Sequence, residues 1–134
     1  MKIDHFAYEV SDLGASIRFY VEKLGFRIQL DKIVDDKEHE AFPILEMEGG
    51  KLELIQALSE TNGSKSFEPL TVRSHACPHL ALQVEDIDRA QAMLAAEGIP
   101  ILHGPLEVPG VAKWLYFCDP DCNVIEFCQD LVKS

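Results

Sequence analysis

The sequence predicts an α+β fold built from two tandem copies of one strand–helix–strand–strand–strand unit (βαβββ). Internal repetition carries this prediction. The segment D-H-F-A-Y-E-V-S-D-L at 4–13 matches P-H-L-A-L-Q-V-E-D-I at 78–87, and L-E-L-I-Q at 52–56 matches I-E-F-C-Q at 125–129. The interval from His5 to Glu53 is one residue longer than the interval from His79 to Glu126. Self-similarity at a fixed interval indicates a repeated structural unit.

Helix-boundary signals recur in both copies. Asp12 and Asp86 are suitable N-caps, and Gly25 and Gly98 are suitable C-terminal stops. Between them, apolar residues follow helical spacing: Leu13, Ile17, Tyr20, Val21 and Leu24, then Ile87, Ala90, Met93 and Leu94. Strands are expected near 2–10, 25–34, 38–48 and 51–58, and again from 78 onward and near 99–108, 111–118 and 123–129.

The repeat also predicts the domain organisation. Residues 1–58 form the first βαβββ module, and residues 75–134 form the second. The polar, turn-rich segment 59–74 is predicted to be the linker. We expect the two modules to make one structural domain, because the chain is short for two separate cores.

The negative net charge argues against nucleic acid and membrane as partners. With 23 acidic and 12 basic side chains, the formal net charge is −11. Such a surface repels phosphate backbones and anionic lipid, so we expect neither nucleic acid nor membrane as a partner. The sequence shows no secretory leader and no apolar run of membrane-span length, which predicts a cytoplasmic protein. The four cysteines are then expected to be reduced.

Four polar residues share the face that strand alternation turns away from the core. Large apolar residues alternate with them and should pack under the helices: Phe6, Tyr8, Leu52, Leu54, Leu80, Leu82, Ile125 and Phe127. His5, Glu53, His79 and Glu126 fall on the opposite face. Each alone is an ordinary polar strand residue, but the same His and Glu positions are filled in both copies. Two imidazoles and two carboxylates suit zinc, nickel, cobalt, iron or manganese, so we predict one divalent-metal site.

Other metal-ligand types are less informative. Cys118 and Cys122 lie in C-D-P-D-C, but no second cysteine pair accompanies them as a structural zinc site requires. His39 and His103 lack repeat partners and are expected to be solvated. His75 is expected to be a linker residue or to lie near the metal without binding it.

These residues together resemble the vicinal oxygen chelate superfamily, which includes glyoxalase I, methylmalonyl-CoA epimerase, extradiol dioxygenases and antibiotic-resistance proteins. The resemblance rests on H-F-A-Y-E-V-S-D-L-G-A-S-I-R-F-Y-V-E-K-L-G-F at the start, P-H-L-A-L-Q-V-E-D-I-D in the middle and F-C-D-P-D-C-N-V-I-E-F at the end. It implies two βαβββ modules forming a half-open, barrel-like mixed sheet around the metal.

The ligand set His5, Glu53, His79 and Glu126 is similar to that of bacterial glyoxalase I. The resemblance implies a metal-dependent lyase or isomerase that moves a proton through a metal-chelated enediolate of a substrate with adjacent oxygens. Zinc or nickel is then the first expectation for the metal, with cobalt, manganese or iron as alternatives. Glu126 is the expected catalytic base, with Glu53 as its partner base or exchangeable ligand.

Departures from the family pattern affect the substrate. Glyoxalase I enzymes usually have Arg at the position of Glu9 and tend to have Asn at the position of Ala57, where both serve glutathione recognition. Glycine is usual where this chain has Cys122. The first two departures argue against a glutathione thioester substrate.

Two alternative functions follow from the same resemblance. One is epimerisation of a branched acyl thioester, and the other is sequestration of a small molecule such as an antibiotic, without catalysis. A homodimer is expected, because an open sheet leaves edges to cover. The sequence leaves open whether one chain or two supply the ligands.

Overall fold

The computed structural model describes residues 1–58 and 78–132. The chain divides into two compact units, Met1–Phe67 and Glu68–Ser134, and each contains one copy of the repeat. The predicted linker 59–74 and His75 lie outside the described residues, so the proposed module boundaries remain predictions. Within the described ranges, no helix has the length and apolar content needed to cross a membrane.

The first unit is a four-stranded mixed sheet with one helix. Its elements are β1 (His5–Glu9), α1 (Leu13–Arg18), a π-helical continuation (Phe19–Lys23), β2 (Arg27–Asp35), β3 (Glu40–Met47) and β4 (Gly50–Ala57). The strand order is β1-β4-β3-β2. β1 pairs with β4 in parallel, and the other pairings are antiparallel.

The second unit repeats this arrangement element by element. It contains β5 (Leu80–Gln83), α2 (Ile87–Ala96), β6 (Ile101–Val108), β7 (Ala112–Cys118) and β8 (Val124–Asp130). The order β5-β8-β7-β6 again places the first and last strands side by side and parallel. The predicted α+β fold of two βαβββ modules is thus confirmed.

The first helix differs from its prediction. Asp12 caps it as expected, with its carboxylate accepting from the backbone N–H of Ala15 at 3.0 Å. The helix then widens into a π-helical turn after Arg18, which changes the phase of the residues that follow. Phe19 and Tyr20 are both buried, whereas Val21 and Leu24, which were predicted to be core residues, are only half-buried. Ile17, which precedes the π-helical turn, is also half-buried.

β4 and β8 bury the faces predicted to be apolar, whereas Phe6, Leu80 and Leu82, on the first strand of each unit, are only half-buried. Leu52 and Leu54 are fully buried in β4, with Glu53 between them only partly covered. Ile125 and Phe127 are buried on either side of Glu126 in β8. Because side chains alternate across a strand, Glu53 and Glu126 lie on the face opposite the helix of their unit.

A glutamine ties each helix to the strand that carries the predicted glutamate ligand. Gln56 Oε1 accepts from the backbone N–H of Leu13 at 2.8 Å. In the second unit, Gln129 Oε1 accepts from the N–H of Ile87 at 2.9 Å. Leu13 and Ile87 are the first residues of their helices, where backbone N–H groups have no partner inside the helix.

This bridge generates a stability prediction. Gln129→Ala removes the acceptor and leaves the N–H of Ile87 without its side-chain partner, so the free energy of unfolding should fall by about 1–2 kcal/mol. Chemical denaturation measures the change. Gln83→Ala is the matched control, because Gln83 is an exposed glutamine of the same sheet, and its effect should stay within about 0.5 kcal/mol. Equal effects of the two substitutions would contradict the bridging role.

The turn between β7 and β8 is held by one buried carboxylate. Asp119 Oδ1 accepts from the backbone N–H groups of Asp121 and Asn123, both at 2.9 Å. Within this turn Cys122 adopts a φ of 65°, a left-handed conformation that favours glycine. A residue with a Cβ at this position therefore carries conformational strain.

We expect Cys122→Gly to relieve that strain. The free energy of unfolding should rise by up to about 1 kcal/mol, because the greater flexibility of glycine in the unfolded chain cancels part of the gain. Cys122→Ala is the control, since it removes the thiol but keeps the Cβ. A gain for Cys122→Ala equal to that for Cys122→Gly would assign the effect to the thiol instead. Thermal unfolding under reducing conditions distinguishes the two.

Candidate metal centre

The first unit brings together His5 and Glu53. β1 and β4 are parallel neighbours, and their register pairs His5 with Lys51 and Ala7 with Glu53. The two predicted ligands therefore lie on the same face of adjacent strands, two residues apart in register. Nε2 of His5 lies 3.9 Å from Oε2 of Glu53.

The second unit repeats this pairing. His79 directly precedes β5, and Ala81 is the register partner of Glu126 on β8. Nε2 of His79 lies 3.8 Å from Oε1 of Glu126. The glutamate side chains are the better covered members of both pairs, with 19% exposure for Glu53 and 15% for Glu126. Partial burial leaves room for a ligand while limiting competition from water.

An aspartate orients the first histidine. Nδ1 of His5 donates to Oδ2 of Asp4 at 2.7 Å, and Nζ of Lys51 lies 3.3 Å from Oδ1 of the same carboxylate. The hydrogen bond with His5, followed by the hydrogen bond and charge of Lys51, lowers the pKa of Asp4. With its proton on Nδ1, the imidazole presents the lone pair of Nε2 toward Glu53, as a metal ligand requires.

The paired groups fit a transition-metal ion in type and spacing. Two ligand atoms about 2.1 Å from one tetrahedral ion lie about 3.4 Å apart. The Nε2–Oε separations of 3.9 and 3.8 Å are close to this value and too long for hydrogen bonds. In residues 1–58 and 78–132, no three His, Cys, Asp or Glu side chains cluster as a metal site. A single ion bound by both pairs therefore remains a prediction.

The surroundings of the first pair are acidic. Glu40, on β3, has its pKa raised, first by burial and then by the negative charges of Glu53, Asp35, Glu38 and Glu9. The four neighbouring carboxylates, the lesser cause of the raised pKa, give this part of the sheet a negative potential. This potential opposes binding of an anionic group beside Glu53 unless a cation offsets it.

Glu126 of the second pair borders an open groove of about 330 Å³. It is lined by Ala81, Gln83, Val111, Ala112, Glu126, Cys128 and Asp130. The pKa of the Cys128 thiol is raised, first by burial and then by the charges of Glu126 and Asp130. The thiol is therefore predominantly protonated at neutral pH and is a poor nucleophile.

The structure corrects one sequence-based expectation about the other histidines. His39 is exposed in the turn before β3, as predicted. His103, however, is half-buried on β6 as the register partner of Tyr116, which is itself the partner of Glu126. Alternation along β7 is a signal that could have assigned Tyr116 to the face opposite that of Leu115 and Phe117. The register of β6 could not be read from the sequence.

Comparisons with known proteins agree with this architecture. Residues 2–127 match the family described as the Glyoxalase/Bleomycin resistance protein/Dioxygenase superfamily. Virulence protein STM3117 of Salmonella typhimurium is 32% identical over 131 residues, which cover 96% of this chain and 83% of that protein.

Two solved structures show the same fold. The trypanothione-dependent glyoxalase I of Leishmania major is 26% identical with a TM-score of 0.72, covering 96% of this chain and 86% of that one. The antibiotic-binding protein TnmS3 of Streptomyces sp. CB03234 is 26% identical with a TM-score of 0.67, covering 97% and 96% of the two chains. The match to the family model spans nearly the whole sequence and includes His5, Glu53, His79 and Glu126. The chain belongs to the glyoxalase/bleomycin resistance protein/dioxygenase superfamily.

Proposed function

We propose that this protein is a metal-dependent lyase or isomerase of the glyoxalase I type, acting on a small substrate with two adjacent oxygens. The observation that carries the proposal is the repeated pairing of a histidine Nε2 with a glutamate carboxylate, at nearly equal distances in the two units. Members of this superfamily usually bind a divalent metal ion, and glyoxalase I is among the structural relatives.

In this proposal all four residues bind the metal, and the two glutamates also take part in catalysis. His5, Glu53, His79 and Glu126 would hold one ion, with zinc or nickel the first candidates. The bound ion supplies a positive charge that makes the hydrogen on a carbon next to the substrate carbonyl more acidic. Glu126 removes that proton and returns it to the neighbouring carbon, and Glu53 serves as ligand or as the partner base.

The charge distribution narrows the substrate class. Glu9 occupies β1 on the same strand face as His5, and it contributes to the negative potential that raises the pKa of Glu40. A substrate that extends its far end toward this surface should therefore carry a neutral or positive group. This argues against a glutathione thioester, whose carboxylates would meet like charge.

A second candidate function is sequestration of a small molecule without catalysis. The likeness to the antibiotic-binding protein TnmS3 and the groove beside Glu126 favour it. Tight binding of an intact ligand, with no turnover, would be its signature. In either case we propose a homodimer located in the cytoplasm, with a small-molecule ligand.

The first test is metal content. Protein purified without a metal-affinity tag and reconstituted with zinc, nickel, cobalt or manganese should hold about one ion per chain, because the predicted donors suit a single transition-metal site. His79→Ala should lose most of it. His39→Ala is the matched control and should bind metal normally, because His39 is exposed in a turn. Elemental analysis measures all three.

Absence of bound metal after reconstitution would overturn the lyase proposal and make sequestration the leading function. Metal that survives in His79→Ala but falls in His39→Ala would mean that the ligand set is wrong.

The second test is proton transfer at carbon. Incubation of the metal-loaded protein in D₂O with small α-dicarbonyl and α-hydroxycarbonyl compounds should place deuterium in the product, detected by NMR. Glu126→Gln should reduce this rate by about 10²–10⁴-fold, the usual contribution of a general base. Glu107→Gln is the control, since Glu107 is exposed on β6. Full activity of Glu126→Gln would exclude it as the base, and exchange only beside an acyl thioester would indicate an epimerase.

A further inference from the structure

The groove beside Glu126 follows one strand of the second unit. Glu126, Cys128 and Asp130 occupy alternate positions on β8, so their side chains share the open face of the sheet. The neighbouring strands place an alanine beside each carboxylate, since Ala81 is the register partner of Glu126 and Ala112 is that of Asp130. The described residues that line the groove all belong to the second unit, and a carboxylate stands at each end.

The matching row of the first unit is arranged differently. There Glu40, on β3, pairs with Ala57, the last residue of β4. Ala57 is the repeat equivalent of Asp130, because each follows the predicted glutamate ligand of its unit by four residues. The second unit reverses the pair, with Ala112 on β7 and Asp130 on β8. The carboxylate therefore stands on the same strand as Glu126, and the small side chain opposite it leaves space for a ligand.

The groove has the size and the walls for a small molecule with an apolar middle. Its volume of about 330 Å³ is near the lower end of the range for small-molecule sites. Four residues of a strand span about 13 Å, which separates the Cα atoms of Glu126 and Asp130. Cys128 lies between them, and Val111, half of whose surface is exposed, forms part of the wall. A chain of several methylene groups fits against these side chains.

The ends of the groove are acidic. Within the part of the chain that the structure describes, its lining holds two charged side chains, Glu126 and Asp130. Oδ1 of Asp130 accepts from the backbone N–H of Val132 at 2.8 Å, which restricts the rotation of the carboxylate. Glu126 is a predicted metal ligand, so a bound ion would offset its charge, whereas the charge of Asp130 remains at the far end. That end favours a cationic group and disfavours an anionic one.

We propose that the groove binds molecules with two adjacent oxygens at one end and a cationic group, such as a primary amine, at the other, and that Asp130 selects the cation. The oxygens lie at the Glu126 end, the linking chain packs along Cys128 and Val111, and the cation pairs with the Asp130 carboxylate. For its oxygen end this inference rests on the proposed metal site. It names the substrate class of that site and a residue that determines specificity.

Hydroxamates are suitable probes, because their two adjacent oxygens chelate transition-metal ions. Hexanohydroxamate, 6-aminohexanohydroxamate and the monohydroxamate of adipic acid have the same number of carbons and end in a neutral, a positive and a negative group. Acetohydroxamate carries the same chelating group but is too short to reach Asp130. The Kd of each probe for the Co²⁺-loaded protein is measured at low ionic strength from the change in visible absorption of the ion, a readout that requires no turnover.

The amino probe should bind the wild type about two- to fivefold more tightly than the neutral probe, the range expected for an ion pair at an exposed carboxylate. The acidic probe should bind more weakly than the neutral one. Asp130→Asn should remove both differences, because it removes the charge and keeps an acceptor for the N–H of Val132. Asp130→Lys should reverse the order. Acetohydroxamate should bind all variants within about twofold, since an exposed ion pair adds to the Kd only of probes that reach it.

Glu107→Lys is the matched control for charge reversal. Glu107 is exposed on β6 and is not part of the groove lining, so this variant changes the net charge as Asp130→Lys does but should keep the wild-type order of the probes. Thermal unfolding of each variant checks that a change in Kd does not reflect lost folding.

Equal Kd values for the three six-carbon probes in the wild type would overturn the inference and leave the proposed function intact. A preference for the amino probe that survives in both Asp130→Asn and Asp130→Lys would also overturn it, because the cation would then be selected elsewhere on this acidic chain. A wild-type protein that takes up no Co²⁺, or whose Co²⁺ spectrum does not respond to acetohydroxamate, would instead refute the proposed function, and the inference with it.

Discussion

Parallel pairing between the first and last strands of each repeat is the constraint on which the candidate site depends. A parallel pair cannot be joined by a tight turn, and in each unit the helix and the two intervening strands form the connection. The return brings residues about 48 positions apart in sequence onto neighbouring strands, as with His5 and Glu53. Their side chains then share a face because both strands alternate with a period of two. The opposite face, with Leu52 and Leu54, packs as core, so the predicted ligands and the hydrophobic core lie on the two faces of the same sheet.

Duplication of this unit provides two similar pairs and also allows them to diverge. The backbone register is nearly identical in the two sheets, yet the residues that surround the pairs differ in chemistry. Around Glu53 the sheet surface is acidic and aliphatic, with Glu40 and Ile44 on β3. Around Glu126 it is aromatic and borders a groove, with Tyr116 on β7. The two units therefore present different chemistry around their predicted ligand pairs.

The fold could be predicted from the sequence because the signals for each helix and strand occur in both copies of the repeat. Helix caps at Asp12 and Asp86 and strand alternation around Glu53 and Glu126 all agree with the structure. The π-helical turn after Arg18 could not be predicted, because apolar spacing in the sequence indicates only the regular helical period. The place of His103 was also missed. It depends on irregular pairing between β6 and β7, which alternation alone cannot specify.

The glutamine bridges have a consequence for how the ligand pairs are maintained. Because side chains alternate, a slip of β8 by one residue would turn Glu126 into the core and bring Phe127 to the open face. The same slip would carry Gln129 away from the first N–H of α2, to which it is bonded at 2.9 Å. The side-chain amide of Gln129 therefore links the start of α2 to β8 and favours the observed register of that strand. A misaligned β8 would thus be disfavoured twice, once by a buried charge and once by an unpaired backbone N–H at Ile87.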